Sequence, residues 1–86
     1  ADLRLRPARD DDADGLIALI GDCFAEYENC VLDVDGEIPE LRAIARWAAR
    51  LDGRFWVVER QGRVVACGGL TPAATPDGIE LRKLYV

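Results

Sequence analysis

Residues 78–86 read GIELRKLYV, and the phase of their apolar side chains decides how the chain is organised. Ile79 and Leu81 are apolar at odd positions, whereas Leu84 and Val86 are apolar at even ones. Successive side chains of a strand point to opposite faces, so a slip of one residue moves all later ones across the sheet. For Ile79, Leu81, Leu84 and Val86 to share one core face, an extra residue must be absorbed near Arg82 and Lys83. That is a β-bulge, and it leaves a backbone N–H or C=O without a ladder partner. Such a group suits a ligand of amide character. The competing reading is a plain strand end that twists away or is covered on both faces.

Upstream, residues 55–70 (FWVVERQGRVVACGGL) read as two strands joined at Gln61-Gly62, a tight hairpin with Gly where positive φ is needed. Gly68-Gly69 inside the second of these marks a bulge or a close backbone approach. Residues 71–78 (TPAATPDG) form a turn-rich loop. Further back the period is helical. Leu16, Leu19, Ile20, Cys23, Phe24 and Tyr27 make an amphipathic stripe that Asp10, Asp11 or Asp12 can cap. Gly15 and Gly21 weaken this helix by ~1 kcal/mol each relative to Ala. Residues 28–38 show no clear period. A second stripe follows Pro39, which a first helical turn tolerates: Leu41, Ile44, Ala45, Ala48 and Leu51, with Trp47 beside it. Gly53 is expected to supply its left-handed stop. Leu3 and Leu5 alternate with Arg4 and Arg6 before Pro7, a short strand with one buried face. The order β-α-α-β-β-β predicts one α+β domain over residues 1–86. Its last three strands form an antiparallel meander, and its first strand is free to join the edge.

A chain of 86 residues buries only ~60% of the surface its unfolded form exposes, and 50% hydrophobic residues with mixed charge give a globular composition. The net charge of −5 argues against a nucleic-acid partner, which needs a basic face. It suits an amine or other cationic substrate, and equally a plain soluble surface. There is no histidine, and Cys23, Cys30 and Cys67 lack CxxC spacing. Zinc sites, His-based acid–base pairs and Ser-His-Asp triads are therefore excluded within the chain, and no metal is expected. The three cysteines read as small buried apolar residues. No apolar run is long enough to span a bilayer and no signal peptide is visible, so a cytoplasmic protein with free thiols and no membrane partner is expected.

The element order, the hairpin ending in ACGGL and above all ELRKLYV (80–86) resemble the GNAT superfamily of N-acetyltransferases. The resemblance covers essentially all of this chain but only the N-terminal half of that family's domain, so it implies a GNAT-like fold truncated after its fourth strand. It further implies acetyl-CoA as co-substrate, and direct transfer of acetyl to a small-molecule amine or amino-terminal acceptor. In that family the bulged fourth strand binds the pantetheine arm through its backbone and polarises the thioester. The matching positions are Leu84, Tyr85 and Val86. The family's next segment, Arg/Gln-x-x-Gly-x-Gly/Ala opening a helix that holds the pyrophosphate, lies beyond residue 86. The 86 residues alone are therefore expected to be an incomplete, inactive fragment that binds acetyl-CoA weakly or not at all.

The resemblance also makes Glu80 the first choice of general base, since attack on a thioester needs a neutral amine and a carboxylate can take its proton. Its alternative role is a solvent-facing Glu paired with a cross-strand Arg such as Arg63. Asp33, Asp35 and Glu37 gather three carboxylates between the two helices. An EF-hand needs Gly at its sixth position and Gly36 comes at the fourth, so the choice lies between a loop that selects a cationic amine and a solvated turn. Tyr27, Phe24 and Trp47 are expected in the core first and as pocket wall second. A non-enzymatic alternative is a small α+β domain that associates, for instance as a homodimer, through its C-terminal edge strand.

Overall fold

The computed structural model describes residues 2–27 and 30–86. Strand β1 (Leu3–Pro7) leads through a 3₁₀ turn (Asp10–Asp12) into helix α1 (Ala13–Ala25). A one-turn helix α2 (Val34–Glu37), a 3₁₀ helix (Pro39–Ala43) and helix α3 (Ile44–Arg50) follow. Strands β2 (Arg54–Arg60), β3 (Arg63–Pro72) and β4 (Ile79–Tyr85) complete an antiparallel sheet of order β1-β2-β3-β4. This is the predicted α+β arrangement, with β1 on the free edge of β2. Of the segment expected to lack a period, residues 28 and 29 lie outside the described residues; the remainder contains α2.

Local chemistry fixes the joints. Gln61 at φ 53° and Gly62 at φ 78° make the two-residue type I′ turn whose twist matches the flanking strands. Helix α3 ends in a Schellman motif: the Gly53 N–H donates to Ala48 O at 2.9 Å and the Asp52 N–H to Ala49 O at 3.1 Å. The left-handed residue is Asp52 (φ 56°), not Gly53 as the sequence suggests. Gly53 is needed for a different reason, since a Cβ there would lie 2.5 Å from Leu70 O. The second helical stripe is also split, because Ala43 (φ −151°, ψ 57°) breaks it into a 3₁₀ piece and an α piece.

The helices cover one face of the sheet. Leu16 and Ile20 of α1, Leu41, and Ile44 and Ala48 of α3 bury against Phe55, Val57 and Cys67. Trp47 meets Phe55 edge-on with ring centroids 6.4 Å apart, and Phe24 packs on Tyr85. Fully burying such aliphatic or aromatic side chains contributes about 1.5–3 kcal/mol each.

Which face the helices cover reverses two expectations. Ile79, Leu81, Leu84 and Val86 do share a face, but it is the open one, and all four are exposed. Leu3 and Leu5 lie there too, opposite Arg60 and Val58, so the buried side of β1 belongs to Arg6. Arg6 pairs with Val57, which is fully buried, and directly opposed residues of a ladder point the same way. Inside, the Arg6 guanidinium meets Asp12 at 2.7 Å and Glu59 at 3.2 Å. Tyr27 lies past the end of α1 and is exposed rather than in the core, and Leu51 is half out. Among the cysteines only Cys67 is buried; Cys23 is intermediate and Cys30 exposed, each unpaired.

Candidate functional site

Strand β4 carries the predicted slip. Its register with β3 runs Ile79↔Pro72 through Arg82↔Gly69, then resumes one residue later at Tyr85↔Cys67. Lys83 and Leu84 together oppose Gly68: a β-bulge. The bulged residue Lys83 sits at φ 49°, a left-handed conformation that costs a non-glycine residue roughly 1–2 kcal/mol. Both glycines opposite it serve the geometry by close approach. A Cβ on Gly69 would lie 2.5 Å from the Phe55 ring, and one on Gly68 would lie 3.3 Å from Leu84 Cδ1.

Several contacts surround the bulge. The Lys83 ammonium lies 2.6 Å from Glu40 Oε1, both side chains about one-fifth exposed, and 4.9 Å from the centre of the Trp47 ring. Arg82 stacks over the same ring at 5.8 Å and donates to Thr71 Oγ1 at 3.1 Å. The Cys67 thiol donates to Lys83 O at 3.4 Å. Burial pushes that thiol up to about 11, ahead of the opposing effect of the Tyr85 N–H. Partial burial works against the Glu40 carboxylate, but hydrogen bonds from Lys83 and from its own backbone N–H, with the Lys83 charge, hold it below the usual carboxylate range.

Because β4 ends the sheet, its outer N–H and C=O groups have no strand beside them among the described residues. Leu84, Tyr85 and Val86 therefore combine an open edge with a broken ladder. They form one wall of a cavity of about 380 Å³ whose other wall is the end of α1, with Cys23, Phe24 and Tyr27. The structure thus brings Tyr27 together with Leu84–Val86. Burial raises the Tyr85 hydroxyl pKa, aided by the nearby Cys67 and Cys23 thiols.

The remaining predicted site residues lie apart from this cavity. Glu80 is four positions before Leu84, roughly 13 Å along the strand at about 3.3 Å per residue. It projects to the helix side and pairs at 3.6 Å with Arg82 of its own strand, whereas Arg63 reaches Asp22 of α1 at 4.0 Å. Asp33 caps α2 by accepting the Gly36 N–H at 3.1 Å. Asp35 is held by Arg42 at 2.7 Å, which keeps its carboxyl below the usual range. Glu37 is exposed at the end of α2. No local pattern singles out Glu40, which touches Lys83 only through the tertiary fold, or Glu26, the carboxylate lining the Tyr27 cavity. Among the described residues no cluster of His, Cys, Asp and Glu can hold a metal, and no helix is long and apolar enough to cross a membrane.

No protein-family model matches the chain, and no curated protein matches it by sequence. Solved structures do match by shape. A GNAT-family acetyltransferase from Staphylococcus aureus Mu50 superimposes with TM-score 0.77 at 21% identity, covering 98% of this chain and 52% of its own. An acetyltransferase from Streptococcus agalactiae 2603 gives 0.79 at 16%, covering 99% and 52%. A possible acetyltransferase from Clostridium difficile 630 gives 0.70 at 23%, covering 100% and 58%. The fold is that of the GNAT acetyltransferases. The chain spans about half the length of the structures that it matches.

Proposed function

We propose that the 86 residues are part of an acetyl-CoA-dependent N-acetyltransferase, and that they supply its thioester clamp and its general base. The observation that carries this reading is the bulge at Lys83–Leu84 on the open edge of β4. Backbone groups there can hydrogen-bond the amide-rich arm of acetyl-CoA, which fits an edge with no strand beside it among the described residues. Neighbours that are acetyltransferases, each about twice the length matched, support assigning the activity to a longer protein.

In the proposed reaction the acceptor amine attacks the thioester carbonyl carbon, and the carbonyl oxygen takes up negative charge beside the Leu84–Val86 backbone. The C–S bond then breaks, leaving an N-acetyl product and the thiolate of CoA. The amine's proton passes through water to Glu80, whose side chain is about half exposed and so reachable by solvent. Tyr27 supplies an aromatic wall for the acceptor. Asp33, Asp35 and Glu37 add a negative field that favours a cationic amine, although Asp33 and Asp35 are already engaged by Gly36 and Arg42. Unpaired thiols fit a reducing cytoplasm.

Calorimetric titration of the intact protein with acetyl-CoA, together with turnover of Glu80→Gln, tests this reading. Saturable binding in both proteins, with kcat of the variant down by about 10²–10⁴, is expected for loss of a general base. Absence of acetyl-CoA binding by the intact protein would falsify it.

A further inference from the structure

Lys83 occupies a backbone region that lysine rarely adopts, and it does so at the one position where the β3–β4 register shifts. A bulge of this kind is ordinarily served by glycine, which enters positive φ freely. Here the side chain is used instead. The bulge turns Lys83 onto the helix side together with Arg82, so that two consecutive residues of one strand reach the same Trp47 ring. In a regular strand they would point to opposite faces. The ammonium ends 2.6 Å from Glu40, in a setting where both partners are about four-fifths covered. Glu40 belongs to the 3₁₀ helix and Trp47 to α3, so the tether spans the two layers of the molecule.

We propose that Lys83 is a positioning residue. Its attachment to Glu40 and Trp47 selects the bulged register of β4 over the regular one, and thereby keeps the backbone of Lys83 and Leu84 out of the β3 ladder and pairs Tyr85 with Cys67. A regular register would move Lys83 away from Glu40 and carry Leu84 from the open face to the helix side. The conformational part of the inference stands on the geometry alone. Its consequence for acetyl-CoA rests on the function proposed above.

The test separates the two. Lys83→Ala keeps the demand for positive φ and loses the tether, Lys83→Gly loses both, and Glu40→Gln weakens the tether from the other end. Bulge occupancy is read from the three-bond HN–Hα coupling of residue 83 in the alanine and glutamine variants. In all variants it is also read from hydrogen-exchange protection of the Leu84 and Tyr85 amides, which needs no ligand. The expected order is wild type above Gly above Ala, with Glu40→Gln between wild type and Ala. Where the intact protein turns over acetyl-CoA, the same order should appear as a rise in KM for acetyl-CoA of about tenfold for Lys83→Ala, with kcat changed less. Wild-type coupling and protection in Lys83→Ala overturn the inference, as does a glycine variant no better than alanine. If acetyl-CoA fails to bind the wild-type protein, the functional reading falls, and the coupling and exchange data still decide the role of Lys83.

Discussion

Arg6 shows how one side chain can set the inner chemistry of an edge strand. It is 12% exposed and shared between Asp12 and Glu59, while Asp12 also accepts the Arg9 N–H at 2.7 Å and so fixes the turn into α1. Removing one partner of a buried pair leaves a charge uncompensated, typically costing about 3–5 kcal/mol. Because Glu59 remains on Arg6, Asp12→Ala should lose about 3 kcal/mol in urea unfolding, the low end of that range. The hydrogen bond from Arg6 outweighs burial and holds the Asp12 carboxyl below its ordinary value. A depressed folded pKa contributes stability that is fully present above the unfolded value of about 3.9 and is lost as pH falls through the folded one. Stability should therefore decline with acid from about pH 4 downward, and more gently in Asp12→Asn. The cysteines give a second test at this scale. Cys30 is exposed, while Cys67 is buried with its thiol pushed up to about 11. Iodoacetamide at pH 8 should modify Cys30 quickly and leave Cys67 unmodified in the folded chain; equal rates would contradict the packing described here.

At the scale of elements, the sequence revealed the turn, the stripes and the slip in β4, but not the break at Ala43 or the left-handed place of Asp52, which it assigned to Gly53. The Gln61-Gly62 turn, the helical stripes of α1 and of the 39–50 segment, and the slip at Arg82–Lys83 were all legible, because turn chemistry and periodicity are local properties. The covered face was not legible. Alternation in LRLR and IELR separates two faces without saying which one meets the helices. The arginines and the lysine turned inward use long apolar stems over Trp47 and buried carboxylates, which no local pattern announces. Glu40 was invisible for the same reason, since its partner lies 43 residues away. A second shift, between Val58 and Glu59, also gave no recognised signal. The paired glycines make the strand account testable. Gly69→Ala must push against the Phe55 ring and the Arg54 carbonyl at 3.0 Å, so a loss of about 1–3 kcal/mol is expected from overpacking. Gly68→Ala meets only the movable end of Leu84 and should cost clearly less in the same thermal or urea denaturation series.

For the whole molecule, the helices and the sheet make two layers, with a third side left open. Leu5, Trp56, Val58, Leu70, Leu81 and Leu84 line a shallow apolar groove of about 330 Å³ on the sheet face opposite the helices. Exposed apolar surface of this kind accompanies sites where another body packs. The solved acetyltransferases of the same fold are about twice as long as the part that matches. The proposed enzyme thus draws on this chain for a clamp whose shape is set by β3, β4 and the Lys83 tether, independently of the acceptor. The most direct test follows the backbone amide resonances of Leu84, Tyr85 and Val86 while acetyl-CoA is added to the intact protein. The account predicts saturable shifts at these three positions, with the amides of β1 (Leu3–Pro7) unmoved. Saturable binding that leaves Leu84–Val86 unshifted, or no binding at all, contradicts it.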